Sequence, residues 1–439
     1  MNYKEESIRL KKIFLDYNSE LSRFNVKNNV LFNYWVDHAE YLFKLYNHGD
    51  ESELAFQLEK SQLGIFKFID SRFPLKKKET LKFKFNFKDR IFFSFGIIYL
   101  TFYDKIYISG SEGLTNKLKY LLSQCALKYL DSNIKTDFTI FENFKTALRK
   151  NFPKSNFIEF VIKVLPEYFF SSCSFKKKSI TFIGSPTFFL NHDYSHLISL
   201  GNLMRIIGIQ HGCNYGIFNL NYYEKFEREI SDRYYLWLVS PNRVFISRYN
   251  KKPTLKLDKS KSLYWIGRPN ITEYVKSQIP ALKLLTEFNN FNNIKTIYDV
   301  VKRFDFKLIP HLHPDSTYFY EDVDCKYFLR PNYKLEDFLD RESNVLCFDV
   351  INSTLIYYAI STNTPFVVYT SDLSDELKGE YYFEFISILK SMKALYFLDD
   401  KIEFQDEINK LMVCKNYYND RVNLIKSVKD RIYRSCIKL

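Results

Sequence analysis

The sequence predicts an α/β protein made of two successive domains with mostly parallel sheets. From Ser179 onward, short apolar runs alternate with stretches of helical periodicity, the rhythm of strands joined through crossover helices. The rhythm runs twice. Between the runs, residues 251–261 (KKPTLKLDKSK) are polar and interrupted by Pro253, the composition of a hinge. The 439 residues are 46% hydrophobic and 26% charged, which supplies apolar material for two cores and excludes intrinsic disorder, collagen and a small disulfide scaffold.

Taken in order, residues 1–60 read as helices, because Ile8, Leu10, Ile13 and Phe14, and later Leu42, Phe43 and Leu45, recur at helical spacing. Leu81 to Lys88 (LKFKFNFK) alternates apolar and polar side chains and reads as a strand, with Leu81, Phe83, Phe85 and Phe87 on one face. Strands are expected at 179–185, 206–209, 263–266, 306–309, 344–348, 366–369 and 394–397. Helices are expected at 196–205, 354–360 and 382–390. Domain boundaries follow: 1–250 with a helical N-terminal extension, a hinge at 251–261, and 262–439.

Charge narrows the partner. The 64 Lys and Arg against 51 Asp and Glu leave +13, which suits an anionic partner: nucleic acid, an anionic membrane surface or a phosphorylated substrate. Part of the basic and aromatic excess reads as the drift of an A+T-rich genome. Lys76, Lys77, Lys78, Lys82, Lys84 and Lys88 form the densest basic patch, which reads either as a solvated strand face or as a weak contact with an anionic membrane or glycan carrier. Seven scattered cysteines without a C-x-x-C pair indicate a reducing compartment. The seven histidines show no zinc spacing, so no metal is expected. No signal peptide is expected, and the longest uncharged apolar stretch, Ile91 to Tyr103, is short of a membrane span. G-x-G-x-x-G, Walker and G-x-S-x-G motifs are absent, which removes the obvious dinucleotide, P-loop and hydrolase readings.

Three clusters fall at the carboxyl ends of expected strands, where open α/β sheets bind ligands. Gln210-His211-Gly212-Cys213-Asn214-Tyr215-Gly216 follows the strand IIGI; its glycines allow close backbone approach, and Gln210 and His211 offer donors. His311-Leu312-His313-Pro314-Asp315 follows FKLI and Pro310, with imidazoles able to donate to a phosphate. Asn352-Ser353-Thr354 opens a helix, where free amides and two hydroxyls suit an anion, and where ordinary capping explains the same residues.

That order of motifs resembles the carboxy-terminal domain of bacterial GT-B glycosyltransferases that use CMP-activated acidic sugars, among them Kdo transferases, sialyltransferases and polysialyltransferases. The Gln-His-Gly motif, the following Tyr-Gly and the stretch Glu227-Arg228-Glu229-Ile230-Ser231-Asp232-Arg233 look like retaining β-Kdo transferases of surface-polysaccharide synthesis. The resemblance spans residues 179 to 410. It implies two Rossmann-like domains with a cleft between them and extra N-terminal helices. His313, Ser353 and Thr354 would contact the donor phosphate, assisted by His311, Asn352, Gly267 and Arg268. Gln210, Asn214 and Tyr215 would contact the sugar or acceptor, and His211, Asp232 and Glu229 would be catalytic, with Asp193 a further carboxylate. Leu312 stands where such sites often carry Lys or Arg. No cofactor is implied beyond the CMP-sugar donor. The acceptor would be a lipid-linked or surface glycan, met at the inner face of the cytoplasmic membrane.

Competing readings are a CDP-polyol phosphotransferase of teichoic-acid type, a UDP- or GDP-sugar enzyme, and a basic binding module for nucleic acid or membrane. Dispersed lysines and the absence of a reading motif argue against nucleic acid.

Overall fold

In a computed structural model the described residues are 3–21, 25–48, 87–108, 117–173, 179–190, 192–210, 212, 215–219, 221–244, 262–267, 296–297, 299, 307–312, 345–351 and 353–437. Two parallel sheets dominate. The first has the strand order β1-β4-β5-β6-β7, with β1 at Lys105–Tyr107, β4 at Ile180–Gly184, β5 at Met204–Ile209, β6 at Arg233–Trp237 and β7 at Arg243–Val244. A separate two-stranded ladder pairs β2 (Ile134–Thr136) with β3 (Ser171–Cys173). The second sheet has the order β12-β11-β10-β8-β9, from β8 (Ser262–Gly267), β9 (Lys307–Leu312), β10 (Val345–Phe348), β11 (Phe366–Thr370) and β12 (Leu395–Phe397). Every recorded pairing in it is parallel. The α/β class with parallel sheets expected from the alternating rhythm is therefore what the chain adopts.

The chain divides into two compact units, Met1–Ile209 with Phe226–Tyr234, and Gln210–Lys225 with Tyr235–Leu439. The segment 251–261, taken as a hinge from its composition, lies outside the described residues.

In the first unit, helices α1 (Tyr3–Glu20) and α2 (Val26–His48) meet through stacked Phe14 and Phe32, whose ring centroids are 3.6 Å apart. Phe144 and Phe169 meet the pair edge-on, and Trp35 is fully buried beside Phe32 and Phe169. Helix α3 spans Phe87–Phe102 and α4 spans Lys117–Ser132. Two further helices start at side-chain caps. Asp137 accepts from the Ile140 amide at the head of α5 (Phe138–Asn151), and Ser155 accepts from Ile158 at the head of α6 (Asn156–Val164). A single turn, α7, occupies His192–Ser195.

Three expectations change. Phe87 and Lys88, read as the end of a strand, open α3; buried Gly96, Tyr99 and Leu100 recur at helical spacing and set the period there. The rest of the expected strand, 81–86, lies outside the described residues. The helix expected over 196–205 is a run of tight 3-10 turns, His196–Leu203, and Met204 and Arg205 already belong to β5; Gly201 at φ +59° breaks the helical path. The strand expected to end at Ile309 continues to Leu312 and includes His311. Pro310 lacks an amide proton, but β9 is the edge of its sheet, where a missing donor is tolerated.

In the second unit, α8 (Tyr222–Ile230) begins and continues into the first unit's share of the chain. Helices α9 (Thr354–Thr362), α10 (Tyr382–Ser391), α11 (Lys401–Val413) and α12 (Lys415–Arg434) follow. Phe404, Ile408, Leu411 and Met412 on one face of α11 pack on Leu263, Val345, Cys347, Val367 and Tyr369 of the sheet. That strip recurs at three- and four-residue intervals, the spacing that turns one face of a helix to a core.

Candidate functional site

The second sheet places its functional residues by strand order. Chain order runs β8, β9, β10, yet β9 lies on one side of β8 and β10 on the other, so the winding direction reverses at β8. In an open parallel sheet such a reversal leaves a crevice beyond the carboxyl ends of the strands beside it. Register brings three ends together: Ile266 is paired with His311 and with Phe348, and Gly267 with Leu312. Gly267, the end of β9 and the loop from Phe348 into α9 therefore share one edge of one sheet.

Beyond Phe348 the chain passes through Asp349, which is buried, to Ser353 at the head of α9. Ser353 is extended, and its hydroxyl accepts from the Leu355 amide at 3.4 Å, while its carbonyl accepts from Ile356 at 3.0 Å. Ser353 is thus a cap in fact, and the first-turn amides of α9 and the half-buried Thr354 lie at the same helix end. At the other end Asn363, left-handed at φ 58°, closes the helix before Pro365 and β11. Cys347 is buried in β10, where burial, and next the charge of Asp349, push its thiol well above the ordinary range; it is a neutral core residue and no nucleophile.

The Gln210 motif belongs to the same unit. Gln210 is fully buried. Its amide donates to the Tyr235 carbonyl, its side-chain oxygen accepts from the Trp237 amide at 2.7 Å, and its side-chain nitrogen donates to the Gly212 carbonyl. One side chain therefore ties the strand, β6 and the turn. The loop then pairs with the segment before α10: Tyr381 donates to Gly216, Gly379 to Ile217, and Asn219 to Leu377. Gly216 sits at φ +70°, and a Cβ there would come within 2.7 Å of Tyr381, so both conformation and space require glycine. Its amide donates to the buried carboxylate of Glu224 at 2.7 Å. Trp237 packs edge-on against Tyr357 of α9 at 5.3 Å, and Tyr357 stacks on Phe385. Gln210, Trp237 and Tyr357 thus form a continuous path from the motif after β5 to the helix that Ser353 caps.

Tyr215 is buried beside this turn. His211, Asn214, Arg268, His313 and Asn352 lie outside the described residues; His311 is placed by its backbone, and Asp193 by its backbone in α7. Glu229 is exposed on α8. Asp232 stands immediately before β6, at the amino edge of the strand. Its two oxygens accept from the Ile206 amide at 2.7 Å and pair with Lys27 at 3.1 Å, while its own amide donates to the Ile206 carbonyl. It therefore clamps β5 whatever else it does.

Two buried acids were given no role from the sequence, although Glu227 opens the stretch Glu227–Arg233 that carries the resemblance. Glu224 anchors the Gly216 turn. Glu227, fully buried in the first unit, accepts from Ser185 at 3.2 Å and from the Tyr234 hydroxyl at 2.6 Å. Helical spacing offers a signal, since both lie on the apolar side of α8 with Phe226 and Ile230, but within a stretch so rich in charge it does not separate buried from solvated acids. Among the described residues no group of three or more His, Cys, Asp or Glu is placed to hold a metal ion, and no helix is long and apolar enough to cross a membrane.

Residues 76–284, just under half of the chain, match the family model described as LIC12162 family transferase. The match covers the first sheet and the Gln210 turn and ends after β8. It makes the chain similar to a family of transferases. No curated protein and no solved structure matches.

Proposed function

We propose that the protein is a glycosyltransferase of GT-B type that moves an acidic sugar, Kdo or another nonulosonic acid, from a CMP donor to a surface glycan. The observation that carries the reading is the reversal of winding at β8, which gathers Gly267, the end of β9 and the Ser353 cap at one sheet edge. The transferase match supports the reaction class.

In this reading the CMP phosphate is held at the head of α9. As the bond between the sugar and the phosphate oxygen breaks, negative charge grows on the phosphate. First-turn amides, the Thr354 hydroxyl and the positive end of the helix dipole stabilise it, with His311 of β9 assisting, and His313 is proposed to share that role. Asn214 and Tyr215 contact sugar or acceptor, and Gln210, fully buried with its side chain bonded to Trp237 and Gly212, serves that contact by holding the turn in place. His211, Asp232 and Glu229 are the groups proposed to activate the acceptor hydroxyl or to act on the sugar.

A thermal-shift series with CMP, CDP, UDP and GDP tests the donor, because a ligand bound only by the folded chain raises its melting temperature. CMP is expected to give the largest shift. Replacing Ser353 with Ala and Thr354 with Val is expected to weaken CMP binding by about 1 to 3 kcal/mol, the range for hydrogen bonds to a charged group. A shift with UDP or GDP alone rejects the CMP donor. New phosphate in the acceptor identifies a polyol-phosphate transfer instead.

Asp232→Asn keeps an acceptor for the Ile206 amide and loses the charge paired with Lys27. The exposed half of that pair limits the stability loss to about 1 kcal/mol or less. Transfer is expected to be abolished with nucleotide binding intact; a variant with full activity leaves Asp232 only its clamp on β5.

A further inference from the structure

Helices α3 and α4 pack against each other in the first unit, with Gly96 of one against Cys125 and Tyr129 of the other, and both carry exposed apolar side chains. Their inner faces bury Tyr99, Leu100, Cys125, Ala126 and Leu130, and the Tyr99 hydroxyl donates to the Lys105 carbonyl at 2.7 Å. The outside carries Phe95 at 48%, Ile98 at 53% and Phe102 at 77% exposure on α3, with Leu118 at 66% and Leu121 at 51% on α4. Phe95, Ile98 and Phe102 recur at i, i+3 and i+7, so they form one stripe. Scattered exposed apolar residues are ordinary, but stripes on two helices packed together mark an interaction surface.

The border of this surface selects the partner. Lys117, Lys119 and Lys128 are exposed on α4 and Lys105 on the strand after α3, against exposed Asp104 and Asp131, and Leu118 lies between two of the lysines in sequence. A partner apolar at its centre and anionic at its rim has the chemistry of an acidic lipid leaflet. Neither helix can cross one, so contact must be in plane.

We propose that the outer face of α3 and α4 docks on an anionic bilayer, its aromatic and aliphatic side chains entering the boundary between headgroups and acyl chains. The lysines keep their ammonium groups at the phosphates while their stems cover apolar surface. The inference goes beyond the transfer reading and needs no nucleotide, so either can fail without the other.

The test is sedimentation of the full chain with vesicles of equimolar phosphatidylcholine and phosphatidylglycerol. Wild type is expected to sediment, and a measurable fraction is expected to persist as salt rises, because burial of apolar surface is not screened. The triple variant Phe95→Ser, Ile98→Ser, Phe102→Ser is expected to lower partitioning by on the order of tenfold or more. Its melting temperature is expected to stay near wild type, since these side chains are already exposed. Equal sedimentation of triple variant and wild type overturns the proposal, and so does complete release of wild type by salt, which would indicate a purely electrostatic contact. Self-association of wild type that the triple variant abolishes, without vesicle binding, assigns the face to a second copy of the chain and also overturns it. Independently, Trp at position 102 (Phe102→Trp) is expected to shift its emission to the blue on the same vesicles and to be quenched by brominated acyl chains; unchanged emission rejects insertion.

Discussion

Arg421→Met is expected to destabilise the second unit by about 3 to 5 kcal/mol, the range for removing one partner of a buried ion pair. Arg421 and Glu407 have side chains 2% and 7% exposed, and the guanidinium meets the carboxylate at 2.6 Å. A second guanidinium nitrogen donates to the Lys393 carbonyl at 2.8 Å, and the Tyr417 hydroxyl donates to the other Glu407 oxygen at 2.7 Å. The network ties α11 to α12 and to the turn before β12. Met fills most of the volume but leaves Glu407 buried without its cation, and leaves the Lys393 carbonyl without that donor. Urea unfolding measures the loss. The double variant Arg421→Met, Glu407→Leu is expected to recover much of it, because no buried charge then remains; a double variant as unstable as the single one would show that the network acts through shape and not through charge.

Acidification is expected to be the second large effect, through His38. This residue of α2 is 2% exposed, and burial lowers its pKa from 6.5 to about 3. The unfolded chain takes up a proton near pH 6.5 that the folded chain refuses until about pH 3. Between those values the unfolded state binds more protons, so stability falls as pH falls, by about 1.4 kcal/mol for each pH unit. Above pH 6.5 the imidazole is neutral in both states and contributes no slope. Melting temperatures from pH 7.5 downward, compared with His38→Leu, isolate the contribution: the Leu variant is expected to show a flatter acid limb, and identical profiles would assign the acid loss to other groups. No transfer chemistry is involved, so the effect is separable from that of Asp232.

By itself the sequence determined the α/β class, the strands β4, β5 and β8 to β12, and the head of α9, whereas β1, β2, β3, β6 and β7 and the caps Asp137 and Ser155 carried no expectation. Short apolar runs such as Val345–Phe348 and Phe366–Thr370 have one way to be satisfied, burial in a parallel sheet, and Ser353 advertises a helix head because its hydroxyl can serve an orphan amide. Local signals failed where distant chain decided. Pro310 stops a central strand but not an edge strand, and β9 is an edge only because of the order in which five strands assemble. Asp232 stands in the sequence as a candidate catalytic carboxylate, and only folding brings Ile206 and Lys27 to it. The same holds for the candidate site. The Gln210 turn and the Ser353 helix are each visible as motifs, but their connection runs through Trp237 and Tyr357, residues with no mark in the sequence beyond being aromatic. The winding reversal at β8 is likewise a property of strand order. Periodicity and capping are fixed by the covalent neighbours of a residue, whereas strand order and burial of a charge are fixed by contacts among distant segments, which only the tertiary structure decides.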